Sequence, residues 1–230
     1  MAPDWPEGIA PFADYREARP FVYDPPEDGP HILHESEHVL GVDKPAGLLS
    51  VPGKTHTDSA MERLRPHTRG VRPVHRLDAA TSGVMLFART HRGQSKVGRQ
   101  FERRRVGKRY VALVAGRVSG VGEIDLPLRH DVERRPMQCV CERHGKPSVT
   151  LWEAVETGAV SRLVLTPLTG RSHQLRAHML AMGHPILGDR LYAPDEVFAQ
   201  SPRLMLHAEA LTFRPPDGDT PITLEAPCPF

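Results

Sequence analysis

The chain has only three cysteines in 230 residues, Cys139, Cys141 and Cys228. An odd, small number gives no disulfide framework. Cys139-Val140-Cys141, with His144 close behind, would place both sulfurs on one face of a strand. No second ligand pair stands at zinc-like spacing, so two small strand residues are the better reading and no metal is expected. No apolar run approaches the roughly 18 residues of a membrane span. The start, Met-Ala-Pro-Asp-Trp-Pro-Glu, lacks the basic and apolar segments of a secretory signal. Together these absences predict a cytoplasmic protein without a membrane partner. With 39% hydrophobic and 25% charged residues, one well-formed core and one domain are expected.

Net charge is nearly absent too, at +2, but its distribution is uneven. Residues 1–30 hold seven acids against Arg16 and Arg19, and seven prolines. They read as an irregular acidic leader, partly mobile or wrapped over the surface, with solubility as the simplest use of its charge. The body, 31–230, carries 28 basic and 21 acidic residues. A basic body points to an anionic partner, nucleic acid first, although charge alone does not select it.

From His38 onward the pattern is α+β. His38–Asp43 reads as a strand closed by the Lys44-Pro45-Ala46-Gly47 turn, and Thr57-Asp58 can cap a short helix ending before Pro66. Val84–Ala88 is a continuous apolar strand. Thr90 caps a helix to about Arg105, with Val97 and Phe101 one turn apart on its buried side. Strands follow at 109–115, 147–156, 160–165, 204–213 and 222–224, and a helix opens at Ser172 and closes at Gly183. Many successive strands with few helices favour a mixed, largely antiparallel sheet over a doubly wound parallel one.

Four constellations carry chemistry. In His75-Arg76-Leu77-Asp78, running on to Thr81-Ser82-Gly83, a carboxylate stands beside a guanidinium just before the Val84 strand. Asp is a recognised nucleophile toward sugars, whereas an ordinary Asp in such a place caps a turn. Gly83 permits a tight turn, and Thr81 and Ser82 can hold the loop through hydroxyl-to-backbone bonds. In Gly170-Arg171-Ser172-His173-Gln174-Leu175-Arg176, a Gly turn leads into a helix whose first turn would favour an anion. Arg171 alone could be a surface anion contact. His173 and His178 are i,i+5, which does not make a ligand pair on one helix face. Tyr110 reads by composition as a half-buried strand aromatic. Lys96, Arg99, Arg103, Arg104, Arg105, Lys108 and Arg109 form a run opposed only by Glu102, a solvated face or a phosphate track.

These strings resemble the RluA-type pseudouridine synthases. His75-Arg-Leu-Asp78 and the residues to Gly83 match the family's signature, and Gly170–Arg176 matches a second motif. Val42-Asp-Lys44-Pro-Ala-Gly47 and Gly183-His-Pro-Ile-Leu-Gly188-Asp189 extend the similarity, which runs colinearly over about residues 36–227. Asp131-x-x-x-Arg135-Pro136-x-Gln138-x-Val140-Cys141 is typical of the RluA branch proper, which lacks a separate S4 domain. The acidic leader departs from the family pattern.

The resemblance implies one catalytic domain over 31–230 with a mixed, largely antiparallel central sheet, a few flanking helices and a central active-site cleft. It makes Asp78 the catalytic residue, Arg171 its ion-pair partner and Tyr110 the aromatic against the target base. Arg76, with His75, would flip the base and contact RNA. Ser172, His173, Gln174 and Arg176 complete the helix-start motif. The implied substrate is a loop uridine in stem-loops of 23S-type ribosomal RNA and/or transfer RNA. The isomerisation is redox-neutral and non-hydrolytic, so no cofactor is required, and a monomer is the default. Two other readings stay open: a non-catalytic RNA-binding module that would not need Asp78, and glycosidic hydrolysis, which commonly uses two carboxylates and for which the sequence offers no convincing second one.

Overall fold

A computed structural model describes Arg19, 22–68 and 70–230. Among these residues the elements run in chain order β1 (His31–Glu35), β2 (Val39–Lys44), α1 (Ala60–Leu64), β3 (Arg72–Pro73), β4 (Ser82–Ala88) and α2 (His91–Glu102). They continue with β5 (Gly107–Ala115), β6 (Val121–Asp125), β7 (Leu128–His130), β8 (Gln138–Val140), β9 (Val149–Glu156) and β10 (Val160–Pro167). The last are α3 (Gln174–Ala181), α4 (Asp195–Phe198), β11 (Leu206–Phe213) and β12 (Ile222–Glu225). The chain folds as two compact units, one of 22–110 with 207–230, the other of 111–206 with Arg19.

The first unit is organised on β4. Its strand order is β1-β2-β4-β11, with β3 added to β4 and β12 to β11. All these pairs are antiparallel except β4 with β11, which are parallel. Every residue of β4 is buried, which explains its unbroken apolar run. Val84 and Leu86 point into a cluster with Val97 of α2 and Phe213 of β11. Met85 and Phe87 point the other way, against Ala60 and Leu64 of α1. Burying each such side chain contributes about 1.5–3 kcal/mol, so the strand that follows the Asp78 loop is among the most firmly held in this unit.

Gly83 does not make a turn. It lies inside β4 at φ +112, where a Cβ would sit 2.2 Å from the Ala208 carbonyl oxygen. The parallel pairing of Gly83 with Ala208 requires this close approach.

Helix boundaries also shift. Ser59, not Thr57 or Asp58, caps α1, its hydroxyl accepting from the Glu62 amide. Asp58 is instead paired with Arg63. Thr90 caps α2 as expected, accepting from the Gly93 amide. The helix stops at Glu102, and Arg104 then takes a left-handed φ of 56°.

The second unit has the order β10-β9-β6, and a separate β7–β8 hairpin. β5 passes from the first unit into the second between Tyr110 and Val111. The inner face of β9 carries Thr150 rather than an aliphatic residue, because its hydroxyl bonds to His178 and Gln174. α3 begins at Gln174, so Arg171, Ser172 and His173 form a turn before the helix instead of its first turn. The physical reason is His173, at φ 52°, whose ring bonds the Tyr192 hydroxyl at 2.9 Å instead of continuing the helix. Gly183, at φ +84, stands just past the α3 C-cap Met182. The fold class is thus the expected α+β arrangement, a mixed, mostly antiparallel sheet with few helices.

Most of the expected leader lies outside the described residues. Besides Arg19, its described part is 22–30, which has neither helix nor strand and belongs to the first unit. Arg63 donates to the carbonyls of Pro26, Glu27 and Asp28. The Tyr23 hydroxyl donates to the Asp58 carbonyl and accepts from the Leu49 amide.

Candidate active site

Asp78 opens a turn in which the Thr81 amide donates to its carbonyl at 3.1 Å. The residues on either side are both clamped. Leu77 is bound through its two main-chain groups to one side chain: the Ser50 hydroxyl donates to its carbonyl at 2.7 Å and accepts its amide at 3.1 Å. The Ala79 carbonyl accepts from the Gly47 amide at 2.8 Å and from Lys44 Nζ at 3.0 Å. Lys44 is wholly buried, and its ammonium also donates to the carbonyls of Pro45 and Leu48, at 2.8 and 2.7 Å. An ammonium taken out of water needs all three protons satisfied, and these carbonyls do so. The half-buried Asp78 carboxylate therefore projects from a backbone fixed within about a residue on each side.

On the expected catalytic role of Asp78, this geometry makes Ser50 a positioning residue. Ser50→Ala is expected to lower kcat about tenfold or more with KM nearly unchanged, since a loosened loop mispositions the carboxylate without removing a substrate contact. Single-turnover rates check this; a rise in KM at constant kcat would refute the assignment.

Tyr110 belongs to the same unit and packs against the cluster that contains Leu77 and Met85. Its hydroxyl has no hydrogen bond among the described residues. Burial, and then the nearby Asp78 charge, push its pKa up, so the phenol keeps its proton. Arg76 is exposed and makes no hydrogen bond or ion pair among the described residues. His75 turns inward: its Nε2 accepts the Leu86 amide at 2.9 Å and its ring stacks on Phe101, centroids 4.4 Å apart. Burial, with the Lys108 charge second, pushes its pKa down to about 3. His75 is thus a neutral brace for the loop, a placement that removes its ring from the surface expected to meet RNA.

The basic run divides. Lys96, Arg99, Arg103, Arg104 and Arg105 are exposed. Arg109 spends its charge on Glu209 at 2.7 Å and Glu225 at 3.6 Å. Lys108 is half-buried, and burial followed by Arg104 pushes its pKa down to about 8.

In the second unit, the Arg171 amide donates to Gln174 Oε1 and its guanidinium reaches the Pro147 carbonyl at 3.3 Å. Gln174 also bonds Thr169, Val149 and Thr150, which locks the turn to β9. Arg176 lies far from the surface, in a bidentate pair with Asp189 at 2.7 and 2.6 Å. Its role is to hold the fold. Ser172 is exposed. Asp78 belongs to the first unit and Arg171 to the second.

Sequence reasoning missed Lys44, Ser50 and Asp189 as supporting groups. Lys44 stands in a segment read as a turn and Asp189 in one that only extends the resemblance, and nothing in a sequence marks a lysine as buried. Among the described residues, no cluster of three or more His, Cys, Asp or Glu side chains could hold a metal ion, and no helix is long and apolar enough to cross a membrane.

The first unit thus holds a rigidly seated carboxylate near a protonated phenol, with an exposed arginine two residues before it. Residues 38–181 match the RNA pseudouridylate synthase family model. The chain is 49% identical over 215 residues to the dual-specificity RNA pseudouridine synthase RluA of Escherichia coli K12, covering 90% of this chain and 98% of that protein. It is 47% identical, with the same coverage, to the protein of that name from Pasteurella multocida. Human RNA pseudouridylate synthase domain containing 1 superposes with a TM-score of 0.76 at 30% identity, over 92% of this chain and 87% of that one. The chain belongs to the RNA pseudouridylate synthase family, and it is an isomerase that converts uridine to pseudouridine in RNA.

Proposed function

We propose that the enzyme isomerises specific loop uridines of ribosomal RNA, transfer RNA or both, through Asp78. The observation that carries the role of Asp78 is the double clamp on Leu77 and Ala79, which preorganises one carboxylate beside Tyr110. The reaction breaks the N1–C1′ bond, turns the uracil and rejoins it through C5. The ring loses its C5 proton and gains one on N1. Three routes suit a carboxylate: addition to C1′, addition to C6, or removal of a sugar proton to give a glycal. In each, a cation would keep the carboxylate ionised and oriented, the part that the family resemblance gives to Arg171. Tyr110 supports the flat face of the base. Arg76 occupies the space left by the extruded nucleotide, and the exposed cations of α2 and the following turn track phosphates.

Loop uridines are favoured because less stacking is lost on extrusion. The dual-specificity name of the RluA relatives supports more than one RNA class. Action as a cytoplasmic monomer completes the reading. Mapping pseudouridines in ribosomal and transfer RNA from cells with and without the gene tests it. Sites lost in stem-loops, and restored by the gene, are the expected result. Loss confined to paired stems would overturn the loop preference.

A further inference from the structure

One basic concavity lies wholly in the second unit. The β7–β8 hairpin forms one wall and the Gly170–Ser172 turn another, around a volume of about 290 Å³. Arg129 and His130 come from β7, His144 and Lys146 from the segment before β9, and Arg171 from the turn; no carboxylate lines the space. Three arginines elsewhere in this unit are paired with carboxylates: Arg134 with Asp131, Arg162 with Glu156 and Arg176 with Asp189. Arg129, Lys146 and His144 have no side-chain partner among the described residues. Like charges gathered in a concavity repel one another unless an anion joins them.

The walls are built rather than incidental. Leu128 and Lys146 exchange both main-chain hydrogen bonds, at 3.0 and 2.8 Å, which fixes where the lysine leaves the backbone. Buried Gln138 is held by its amide to the Tyr192 hydroxyl at 2.8 Å. Its side-chain nitrogen meets His130 Nδ1 at 2.7 Å, which leaves Nε2 as that ring's N–H donor. Asp131 closes the hairpin by accepting the amides of Glu133 and Arg134. The segment Asp131–Cys141, which the target-base chemistry leaves unused, thus shapes this pocket.

We propose that the pocket binds a backbone phosphate of the RNA substrate. The Arg129 guanidinium, the Lys146 ammonium and the His130 Nε2–H suit a phosphate's several acceptor oxygens, and the open mouth suits a strand passing across it. This rests on the RNA reading of the enzyme, and its test separates the two.

The test compares wild type with Arg129→Ala/Lys146→Ala on a uridine-labelled stem-loop, over a salt series. The double variant is expected to raise KM roughly tenfold, the scale of losing charged hydrogen bonds, with kcat within about twofold, the mark of uniform binding. Its slope of log affinity against log salt should fall by about 0.7–0.9 for the phosphate lost. Arg129→Lys/Lys146→Arg should restore both, which a folding defect would not. Unchanged KM and salt slope in the alanine variant would overturn the proposal. Unchanged KM with loss of thermal protection by inorganic phosphate would also overturn it, as the pocket would then serve a free anion. Absence of pseudouridine with wild type would instead sink the functional reading, while the salt slope would still report on the pocket.

Discussion

Asp78→Asn (D78N) is expected to lower pseudouridine formation by about 10⁴-fold or more, the scale seen when a group that carries the chemistry is removed. The amide preserves the shape of the side chain and removes only its charge and nucleophilicity. The clamps on Leu77 and Ala79 act through main-chain groups, so they survive the change. RNA affinity should stay within about threefold of wild type, because the phosphate contacts that dominate binding lie elsewhere. Nucleoside analysis of labelled RNA, with binding and circular dichroism measured in parallel, separates these effects. Turnover within tenfold of wild type would mean that another group performs the reaction. Free uracil from the wild-type enzyme would indicate glycosidic hydrolysis, and binding without product would leave only a recognition module.

The Asp78 neighbourhood was legible in sequence because its signals are local. An unbroken apolar strand buried on both faces reads directly from Val84–Ala88, and Thr90 caps the next helix where its spacing says it should. What escaped was tertiary. Gly83 suggests a turn to any local rule, yet its freedom is spent on the approach of the Ala208 backbone. His75 suggests a polar contact beside Arg76, yet its ring is the acceptor for an amide of β4. Ser59 displaces Asp58 as the helix cap because a nearby arginine already holds that carboxylate. Lys44 is the sharpest case. A lysine at the end of a strand ordinarily extends into water, and only the ring of carbonyls from Pro45, Leu48 and Ala79 turns it inward. A turn motif and a buried ionic clamp look the same until the chain is folded. The second motif divided for the same reason: its glycine and Arg171 stay at the surface turn, while Gln174 and Arg176 face inward, toward β9 and Asp189.

That division yields the second large effect, on stability. Arg176→Met (R176M) is expected to cost about 3–5 kcal/mol of unfolding free energy, the penalty for leaving a buried charge unpaired. Asp189 is wholly buried, and its Oδ1 also accepts the amides of Leu191 and Tyr192, so it has no route to water. The guanidinium lies 5.0 Å from the Tyr192 ring centroid, and its removal takes that contact as well. Tyr192 in turn holds the Gln138 amide and the His173 ring through its hydroxyl. Loosening this knot should therefore release the β7–β8 hairpin before the rest of the unit. Adding Asp189→Asn to R176M should recover part of the loss: no bare charge remains, and an amide oxygen can still accept both main-chain donors. Urea titration of the two variants measures the recovery, and hydrogen exchange over 128–140 reads the hairpin. Where R176M is still folded, kcat should remain within a few-fold of wild type, since Arg176 supports the motif from beneath and touches no substrate. A collapse of kcat at full stability would reverse that assignment and move Arg176 into the reacting site.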